Sequence, residues 1–321
     1  MSDVLLSIRD LCVYYFLTEG IVRAVDNVSL DLRRGDVLAV VGESGSGKST
    51  LGYSILRLVP PPGKIVRGSI LFEGIDLLKL PEEAMRRIRG AEISMVFQDP
   101  SVVLNPVMRV GEHIVEMLKY HRGMDEEEAW KLVEDVFESL GIPRDRARDY
   151  PHQLSGGMKQ RVVIATAIVL RPKLIIADEP TTALDVITQD QILDIFRDLR
   201  DRYRVSIMLI IHDLSIVADL ADRVVVMYAG KVVEEGSVEQ IFYNPLHPYT
   251  RGLLMCTPRL ISNDANLYSI PGEPPDLLNP PPGCRFHPRC GLCMDTCKKE
   301  EPPMIEVEPG HRVMCWLYAK R

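Results

Sequence analysis

The pattern of apolar and polar positions along the chain predicts several β-strands. Residues 4–33 alternate apolar and polar side chains, a period of two that predicts half-buried β-strands. Three other segments, 37–42, 174–178 and 206–212, each contain a continuous apolar run of four or five residues. Runs of this kind are typical of strands that are buried on both faces, as in a parallel sheet.

Helical periodicity occupies the stretches between these strands. Residues 48–59 have helical spacing up to the triple proline at 60–62, and residues 187–200 predict a second helix. Between them, residues 99–150 contain two amphipathic segments, the second of which opens with four acidic residues at 125–128. We expect a helical insert, a subdomain at about 99–155, within an α/β fold whose core sheet is largely parallel.

The composition changes near residue 245. A hairpin is predicted to turn at Ala229 and Gly230, after which prolines become frequent and periodicity is lost. Five of the seven cysteines fall between Cys284 and Cys315. We therefore predict a first domain over 1–245 and an appended, loop-rich region over 246–321 that is held together by its cysteines.

Charge and hydropathy limit the classes of function. With 38 Lys and Arg against 45 Asp and Glu, the net charge is −7, which argues against nucleic acid as the main partner. No run of 18 or more apolar residues occurs, so no membrane-spanning helix is expected. The first ten residues have no positive head or long apolar run, and we expect a mature chain that is not exported.

Residues 42–50 read GESGSGKST and match G-x-x-x-x-G-K-S/T between a predicted strand and a predicted helix. The alternative, a chance match, is disfavoured by those flanking elements. Glycines allow backbone N–H groups to approach phosphates, and the following helix N-terminus favours an anion. Lys48 is expected to reach the β- and γ-phosphates and Ser49 to bind Mg²⁺. The expected nucleotide contacts are Gly42, Ser44, Gly45, Gly47, Lys48, Ser49 and Thr50.

A second glycine-rich element, LSGGMKQR, lies at 154–161. Ser155 followed by Gly156 and Gly157 exposes backbone N–H groups at a predicted helix start, a further anion site. Two phosphate-reading elements in one chain indicate that each nucleotide is held between two copies.

Five polar positions follow strands or precede a helix. Asp178 is expected to hold Mg²⁺ through water, and Glu179 to orient or deprotonate an attacking water, the alternative being a solvated acidic turn. Gln98 can contact Mg²⁺ or that water, although a lone glutamine is usually a surface residue. His212 can donate to a γ-phosphate or simply end a strand. Asp185 can also be a plain helix N-cap.

Taken together, these elements resemble the ATPase subunits of ABC transporters over residues 3–245. The resemblance supplies Walker A at 42–50, a glutamine loop at Gln98, the signature at 154–161, Walker B ending in Asp178 and Glu179, a dimer-contacting loop with Asp185, and a switch histidine at His212. It implies a P-loop NTPase fold with an antiparallel β subdomain, and a head-to-tail dimer that hydrolyses ATP with Mg²⁺.

The same resemblance implies an aromatic residue that stacks on adenine upstream of Walker A. Tyr15 is the choice by register, with Tyr14 and Phe16 as neighbours in the sequence that remain open, and core packing is the alternative role for the cluster.

Two features resemble one branch of the family, the ATPase subunits of dipeptide and oligopeptide importers. One is NPLHPYTR at 244–251, for which a packing junction is the favoured role. The other is the cysteine region, in which the resemblance implies a four-iron, four-sulfur cluster, with zinc or reduced free thiols as alternatives and the role of Cys293 open. The implied ligands are Cys284, Cys290, Cys297 and Cys315.

The resemblance also implies partners. These are two integral-membrane permease subunits, a second ABC ATPase subunit that is identical or related, and, indirectly, an extracytoplasmic substrate-binding protein. The chain would then lie peripherally on the cytoplasmic face of the membrane. Nickel complexes and oligosaccharides remain alternative cargoes, and a non-transport ABC ATPase of DNA repair, a translation factor and a metal-sensing regulator are less favoured.

Overall fold

The computed structural model describes residues 3–182, 184–256 and 269–319. Two compact units make up the chain: one consists of Met1–Lys79 and Leu209–Arg321, and the other of Leu80–Met208. The strands are Val4–Leu17 (β1), Gly20–Arg33 (β2), Val37–Val41 (β3), Gly63–Phe72 (β4), Ile75–Asp76 (β5), Ile93–Val96 (β6), Leu174–Asp178 (β7), Ser206–Ile211 (β8), Arg223–Tyr228 (β9), Lys231–Ser237 (β10), Met304–Glu308 (β11) and His311–Met314 (β12).

The helices follow the predicted alternation with strands. They are Lys48–Ile55 (α1), Glu82–Ile88 (α2), Pro100–Val103 (α3), Val110–Arg122 (α4), Glu126–Ser139 (α5), Gly156–Ile168 (α6), Val186–Asp201 (α7), Leu214–Leu220 (α8), Val238–Tyr243 (α9) and Pro248–Cys256 (α10).

In the first unit, an antiparallel sheet has the order β2-β1-β4-β5. The alternation at 4–33 gives β1 and β2, which pair with each other, and their apolar positions such as Leu6, Ile8 and Leu30 are fully buried. The predicted antiparallel β subdomain is confirmed, because one face of each strand is apolar and packs inward.

A second sheet of the first unit contains β3, whose five residues are all buried. Strand β9 lies parallel to β3 and forms the predicted hairpin with β10 through Ala229 and Gly230. Helix α1 follows β3 but ends at Ile55, four residues before the predicted end at 59. Arg57 has a φ of 54°, a left-handed conformation that does not continue an α-helix.

In the second unit, β6 and β7 pair in parallel, as the buried apolar runs predict. Helices α4 and α5 are the two predicted amphipathic segments, and their inward faces carry Ile114, Leu118 and Phe137, all fully buried. The Asp125 carboxylate caps α5 by accepting the Glu128 N–H at 2.9 Å.

The C-terminal region contains more regular structure than its proline-rich sequence predicts. Strand β12 pairs antiparallel with β10, and β11 pairs with β12, so the region extends the sheet of the first unit. Val313 in β12 is fully buried and packs with Leu246 and Cys315. These two strands were not predicted, because they contain charged residues in place of a continuous apolar run and are too short to show a clear alternation.

Across the described ranges, no helix has both the length and the apolar character needed to cross a membrane.

Candidate nucleotide site

The loop at 42–47 connects the buried strand β3 to helix α1. Gly42 has a φ of 149° and Gly47 a φ of 100°, and a Cβ atom there would lie 2.1 Å from the Met227 carbonyl oxygen and 2.0 Å from that of Ala24, respectively. Only glycine fits both positions. Helix α1 begins at Lys48 with no side-chain cap from Gly47, so its N-terminal N–H groups suit an anion.

The Lys48 side chain is buried inside this loop. Its ammonium group donates to the carbonyl oxygens of Gly42 at 2.8 Å and Glu43 at 3.0 Å, and lies 3.5 Å from Ser46 Oγ. These bonds place a positive charge at the start of α1, where it adds to the potential of the helix N-terminus.

The outer part of the loop faces solvent. Ser44 and Gly45 are exposed, and a Cβ at Gly45 would meet no other atom within 4 Å. Ser49 and Thr50 are half-buried in the first turn of α1. The loop therefore has an open cradle lined by backbone, a lysine and two hydroxyl groups, which fits the phosphates of a nucleotide.

Among the three consecutive aromatic residues, Tyr15 lies beside the loop. Its hydroxyl is 3.4 Å from Thr50 Oγ1. The Tyr14 hydroxyl donates to Asp26 at 2.8 Å, while Phe16 is 42% exposed. The register in β1 thus brings Tyr15 to the start of α1 and directs Tyr14 to a different partner.

In the second unit, a carboxylate and an amide meet after β7. Glu179 follows the fully buried Asp178, and its Oε2 accepts a hydrogen bond from Gln98 Nε2 at 2.8 Å. Thr182 Oγ1 donates to the same oxygen at 2.9 Å. The structure therefore brings together Gln98 and Glu179, which are 81 residues apart, and adds Thr182, which sequence reasoning missed.

The signal for Thr182 was local. Its N–H donates to the Glu179 carbonyl oxygen at 3.2 Å, in a turn that follows the strand. Threonine is common in loops and favours turns only weakly, so the sequence alone does not single it out.

The second glycine-rich element is a helix start, as predicted. Ser155 is the N-cap of α6, and its Oγ accepts the Met158 N–H at 3.3 Å. Both Ser155 and Gly156 are exposed. A Cβ at Gly157 would lie 2.5 Å from Thr188 Cγ2, so this glycine permits the close approach of α7.

Asp185 has the N-cap role that its sequence left open. Its carboxylate accepts the Thr188 N–H at 3.0 Å and the Thr188 hydroxyl at 2.7 Å. Hydrogen bonds from the Thr188 backbone and side chain lower the pKa of Asp185. Because the side chain is exposed, this cap leaves Asp185 accessible to a partner.

His212 is exposed and lies directly after β8 in the first unit. The next residue, Asp213, caps α8 by accepting the Ser215 N–H at 2.8 Å. The first unit thus contains the phosphate loop, Tyr15 and His212. The second contains Gln98, Asp178, Glu179, Asp185 and the 155–157 element.

The structure corrects the prediction of a metal site in the cysteine region. Within the ranges that the structure describes, no group of three or more His, Cys, Asp or Glu side chains is arranged to hold a metal ion. The prediction of a four-iron, four-sulfur cluster on Cys284, Cys290, Cys297 and Cys315 is therefore wrong, and zinc has no site there either. All seven cysteines lie in the described residues and are free.

Burial raises the pKa of the Cys284 thiol to about 12 and that of the Cys315 thiol to about 11, so both are protonated at neutral pH in this structure. Cysteine spacing in the sequence contains neither the geometry nor the burial of the sulfur atoms.

Comparison with known proteins identifies the family. Residues 25–182 match the ABC transporter family, and residues 233–297 match the oligopeptide/dipeptide transporter C-terminal region. The chain is 50% identical to the oligopeptide transport ATP-binding protein OppD of Bacillus subtilis over 317 residues, covering 98% of this chain and 88% of that protein. This chain belongs to the ABC transporter ATP-binding family.

Further relatives belong to the same branch. The ABC ATPase is 49% identical to the dipeptide transport ATP-binding protein DppD of Bacillus subtilis over 322 residues, 99% of this chain and 96% of that one. These matches confirm the resemblance to the dipeptide and oligopeptide branch. They are named for ATP binding and peptide transport, and give the expected iron–sulfur cluster no support.

Solved structures confirm the fold class. A dimeric post-hydrolysis state of the ATP-binding cassette MJ0796, bound to ADP and Pi, matches with a TM-score of 0.65 at 29% identity, over 73% of this chain and 98% of that chain. Another dimeric MJ0796 structure, described as a bacterial ABC transporter cassette, matches with a TM-score of 0.66 at 30% identity and the same coverage. The ABC ATPase therefore has the predicted P-loop α/β fold.

Proposed function

We propose that this ABC ATPase binds and hydrolyses ATP and that hydrolysis drives the import of dipeptides or oligopeptides. The observation that carries the proposal is the loop at 42–47, whose glycine backbone and buried Lys48 form a phosphate cradle at the start of α1. The match of 233–297 to the peptide-transporter C-terminal region favours peptides over nickel complexes or oligosaccharides.

In the first unit, the proposed role of the cradle is to hold the phosphates. Lys48 would pair with the β- and γ-phosphates, and the backbone of the loop would donate hydrogen bonds to their oxygens. Tyr15 would stack on adenine, since its position beside Thr50 puts its ring next to the nucleotide cradle. The residues proposed for nucleotide binding here are Tyr15, Gly42, Ser44, Gly45, Gly47, Lys48, Ser49 and Thr50.

Ser49, Gln98 and Asp178 are the proposed Mg²⁺ residues. Their hydroxyl, amide and carboxylate oxygens are the ligand types that Mg²⁺ prefers, directly or through water. When bound, Mg²⁺ would neutralise charge on the phosphates.

Glu179 is the proposed catalytic base. Gln98 and Thr182 both donate hydrogen bonds to its Oε2, which would hold the carboxylate in position to orient a water and accept its proton. His212, exposed after β8, would donate a hydrogen bond to the γ-phosphate.

A second copy, or a related ABC ATPase, is the proposed partner in a head-to-tail dimer. Ser155, Gly156, Gly157 and Asp185 would then face the nucleotide of the other subunit. Exposure of Ser155, Gly156 and Asp185 supports this role, as do the dimers of MJ0796.

The other proposed partners are membrane proteins and a binding protein. Two separate integral-membrane permease subunits would conduct the peptide, with an extracytoplasmic binding protein delivering it. The ABC ATPase would lie peripherally on the cytoplasmic face, with an ATPase domain at 1–245, a helical subdomain at about 99–155 that contacts the permease, and an extension at 246–321.

Two measurements test this proposal. Purified protein is expected to hydrolyse ATP with Mg²⁺, and Lys48→Ala is expected to lose ATP binding because the cradle loses its positive charge. Co-expression with peptide permease subunits is expected to yield a membrane complex, and vesicles that contain it are expected to take up labelled dipeptide, delivered by the binding protein, only with ATP. Dipeptide uptake that Lys48→Ala leaves unchanged would contradict the proposal.

A further inference from the structure

Glu43 lies inside the nucleotide loop but is held by two side chains from the C-terminal region. Arg289 donates hydrogen bonds to the Glu43 carboxylate, and the Glu43 backbone N–H donates to the Tyr249 hydroxyl. Both residues lie more than 200 positions after the loop in the sequence. Tyr249 lies in the NPLHPYTR segment, for which the sequence analysis favoured the role of a packing junction. Arg289 lies next to Cys290.

The contact of Arg289 with Glu43 is bidentate. Arg289 Nη1 donates to Glu43 Oε2 at 2.7 Å, and Nη2 donates to Oε1 at 3.0 Å. The Arg289 side chain is only 5% exposed, and its Nε donates to the Pro271 carbonyl oxygen at 2.9 Å. The hydrogen bond to Glu43 raises the pKa of Arg289 further. A two-point contact with a buried guanidinium group fixes the orientation of the carboxylate.

Tyr249 holds the main chain of the same residue. The Glu43 N–H donates to the Tyr249 hydroxyl at 2.8 Å. The Tyr249 ring is fully buried, with the Tyr228 ring centroid 4.6 Å away and the Phe286 centroid 5.4 Å away. Three aromatic rings therefore pack behind the loop and fix the position of the hydroxyl.

The start of α10, where Tyr249 lies, is itself anchored by a buried carboxylate. Glu234 accepts the N–H groups of Leu246 at 2.7 Å and His247 at 2.9 Å, and its Oε1 lies 2.8 Å from His311 Nε2. The Tyr249 N–H donates to His247 Nδ1 at 3.0 Å. This network makes the segment at 246–249 rigid, so the acceptor that it offers to Glu43 is preorganised.

Glu43 connects these contacts to the lysine of the site. Its carbonyl oxygen accepts from the Lys48 ammonium at 3.0 Å and from the Ser46 N–H at 3.2 Å. One loop residue thus has its carboxylate and N–H fixed by the C-terminal region while its carbonyl oxygen fixes Lys48. A shift of Glu43 would move the ammonium group that faces the phosphates.

We propose that Tyr249 and Arg289 are positioning residues of the nucleotide site, through which the C-terminal region sets the affinity of the loop for nucleoside triphosphate. This inference rests on the proposed ATP-binding function. It assigns to the NPLHPYTR segment and to the cysteine region a shared task, namely to hold the Walker A loop in its binding conformation before nucleotide arrives.

The test is the Kd for ATP and the thermal midpoint of the full chain in a set of variants. Arg289→Gln and Glu43→Gln are each expected to weaken ATP binding by about tenfold, since each removes a charge-assisted bond. The double variant is expected to be no weaker than the single ones, because both remove one interaction. Tyr249→Phe is expected to weaken binding several-fold.

Arg312→Gln is the matched control. It removes an ion pair between the C-terminal region and Glu235 of β10, away from the loop, and is expected to leave the Kd within about twofold. If Arg289→Gln does not fold, Arg289→Lys keeps the charge, removes the planar fork and provides the same comparison.

The outcomes separate this inference from the proposed function. Variants that lower the thermal midpoint but bind ATP as the wild type does would overturn the positioning role alone. Additive losses in the double variant would also overturn it, because they would show that Arg289 and Glu43 act independently. Wild-type protein that binds no ATP would overturn the proposed function and this inference with it.

Discussion

At the residue scale, Tyr15 is distinguished from Tyr14 and Phe16 by one contact. Its hydroxyl lies beside Thr50 at the start of α1, whereas Tyr14 is bonded to Asp26 and Phe16 faces solvent. Three adjacent aromatic residues are equivalent in composition, and only the register of β1 decides which one reaches the loop. The choice of Tyr15 from the sequence stays a prediction about adenine, and it can be tested directly.

Tyr15→Ala is expected to weaken ATP binding by about tenfold, since stacking of a base on an aromatic ring contributes about 1–3 kcal/mol. Tyr15→Phe is expected to bind nearly as the wild type does, because it keeps the ring. Equilibrium binding of ATP measures both. Phe16→Ala is the control, and a loss of affinity in that variant instead would place the stacking residue one position later.

The residues of the candidate site differ in how readily they could be predicted from the sequence. Lys48 and Ser49 belong to a pattern with fixed spacing, and the structure puts them at a helix start after a buried strand. Gln98 and Glu179 were chosen singly, and only the fold shows that they share a hydrogen bond. Arg289 and Glu43 are 246 residues apart, and no local pattern connects them.

At the element scale, the helix start at 155–157 depends on the approach of α7. A Cβ at Gly157 would lie 2.5 Å from Thr188 Cγ2, whereas at Gly156 the nearest side-chain atom, Leu184 Cδ2, is 4.0 Å away. The two adjacent glycines therefore have different structural requirements, although the sequence presents them as a pair.

Gly157→Ala is expected to destabilise the protein by about 1–3 kcal/mol, because overpacking outweighs the better helix propensity of alanine. Gly156→Ala is expected to have little effect, and serves as the control. Adding Thr188→Ser, which removes the clashing methyl group, is expected to restore much of the loss. Thermal and urea denaturation measure these differences; equal stability of Gly156→Ala and Gly157→Ala would contradict the packing argument.

The segment that starts α10 makes stability depend on pH through His247. Burial lowers the pKa of His247 to about 3, with a smaller contribution from Arg251, and the ordinary value is 6.5. The unfolded chain therefore binds more protons than the folded one below pH 6.5, and stability is lost as the pH falls from 6.5.

His247→Asn is expected to flatten this dependence, because an amide oxygen can accept the Tyr249 N–H without titrating. Between pH 6.5 and pH 5, the wild type is expected to lose about 2 kcal/mol more of its free energy of unfolding than the variant loses. Urea unfolding at the two pH values measures the difference. Parallel losses in the two proteins would show that His247 is not responsible.

Strands and helices were predictable to the extent that their periodicity is long. The alternation at 4–33 and the apolar run at 37–41 give β1, β2 and β3, and the amphipathic segments give α4 and α5. Strands β11 and β12 were missed because they have no continuous apolar run like that of β3 and are too short to show a clear alternation. The cysteine region was misread because spacing specifies neither burial nor the direction of the sulfur atoms.

At the scale of the whole molecule, the residues proposed for nucleotide binding and hydrolysis are divided between the two units. The phosphate cradle and His212 belong to the first unit, and Gln98, Glu179 and the 155–157 element belong to the second. These elements could be predicted from the sequence, because each family motif is short and local. The residues of the C-terminal region that support the loop could be identified only in the structure.

The proposed head-to-tail dimer gives a prediction at this scale. Because a second copy would complete each nucleotide site, ATP is expected to increase the dimer fraction when hydrolysis is blocked. Ser155→Arg is expected to abolish this increase while leaving ATP binding by the monomer intact, since it puts a bulky charge at the exposed cap of α6. Analytical ultracentrifugation with and without ATP measures both. Hydrolysis-blocked protein that stays monomeric when ATP is added would contradict a dimer of identical copies.

The most direct test of the central claim is ATP turnover by Glu179→Gln, compared with the wild type and with Glu127→Gln, an exposed glutamate of the same unit. Glu179→Gln is expected to bind ATP with unchanged Kd and to lower turnover by about a hundredfold or more, since it removes the base and keeps the shape. Glu127→Gln is expected to match the wild type. Wild-type turnover in Glu179→Gln would contradict the account of hydrolysis given for this site.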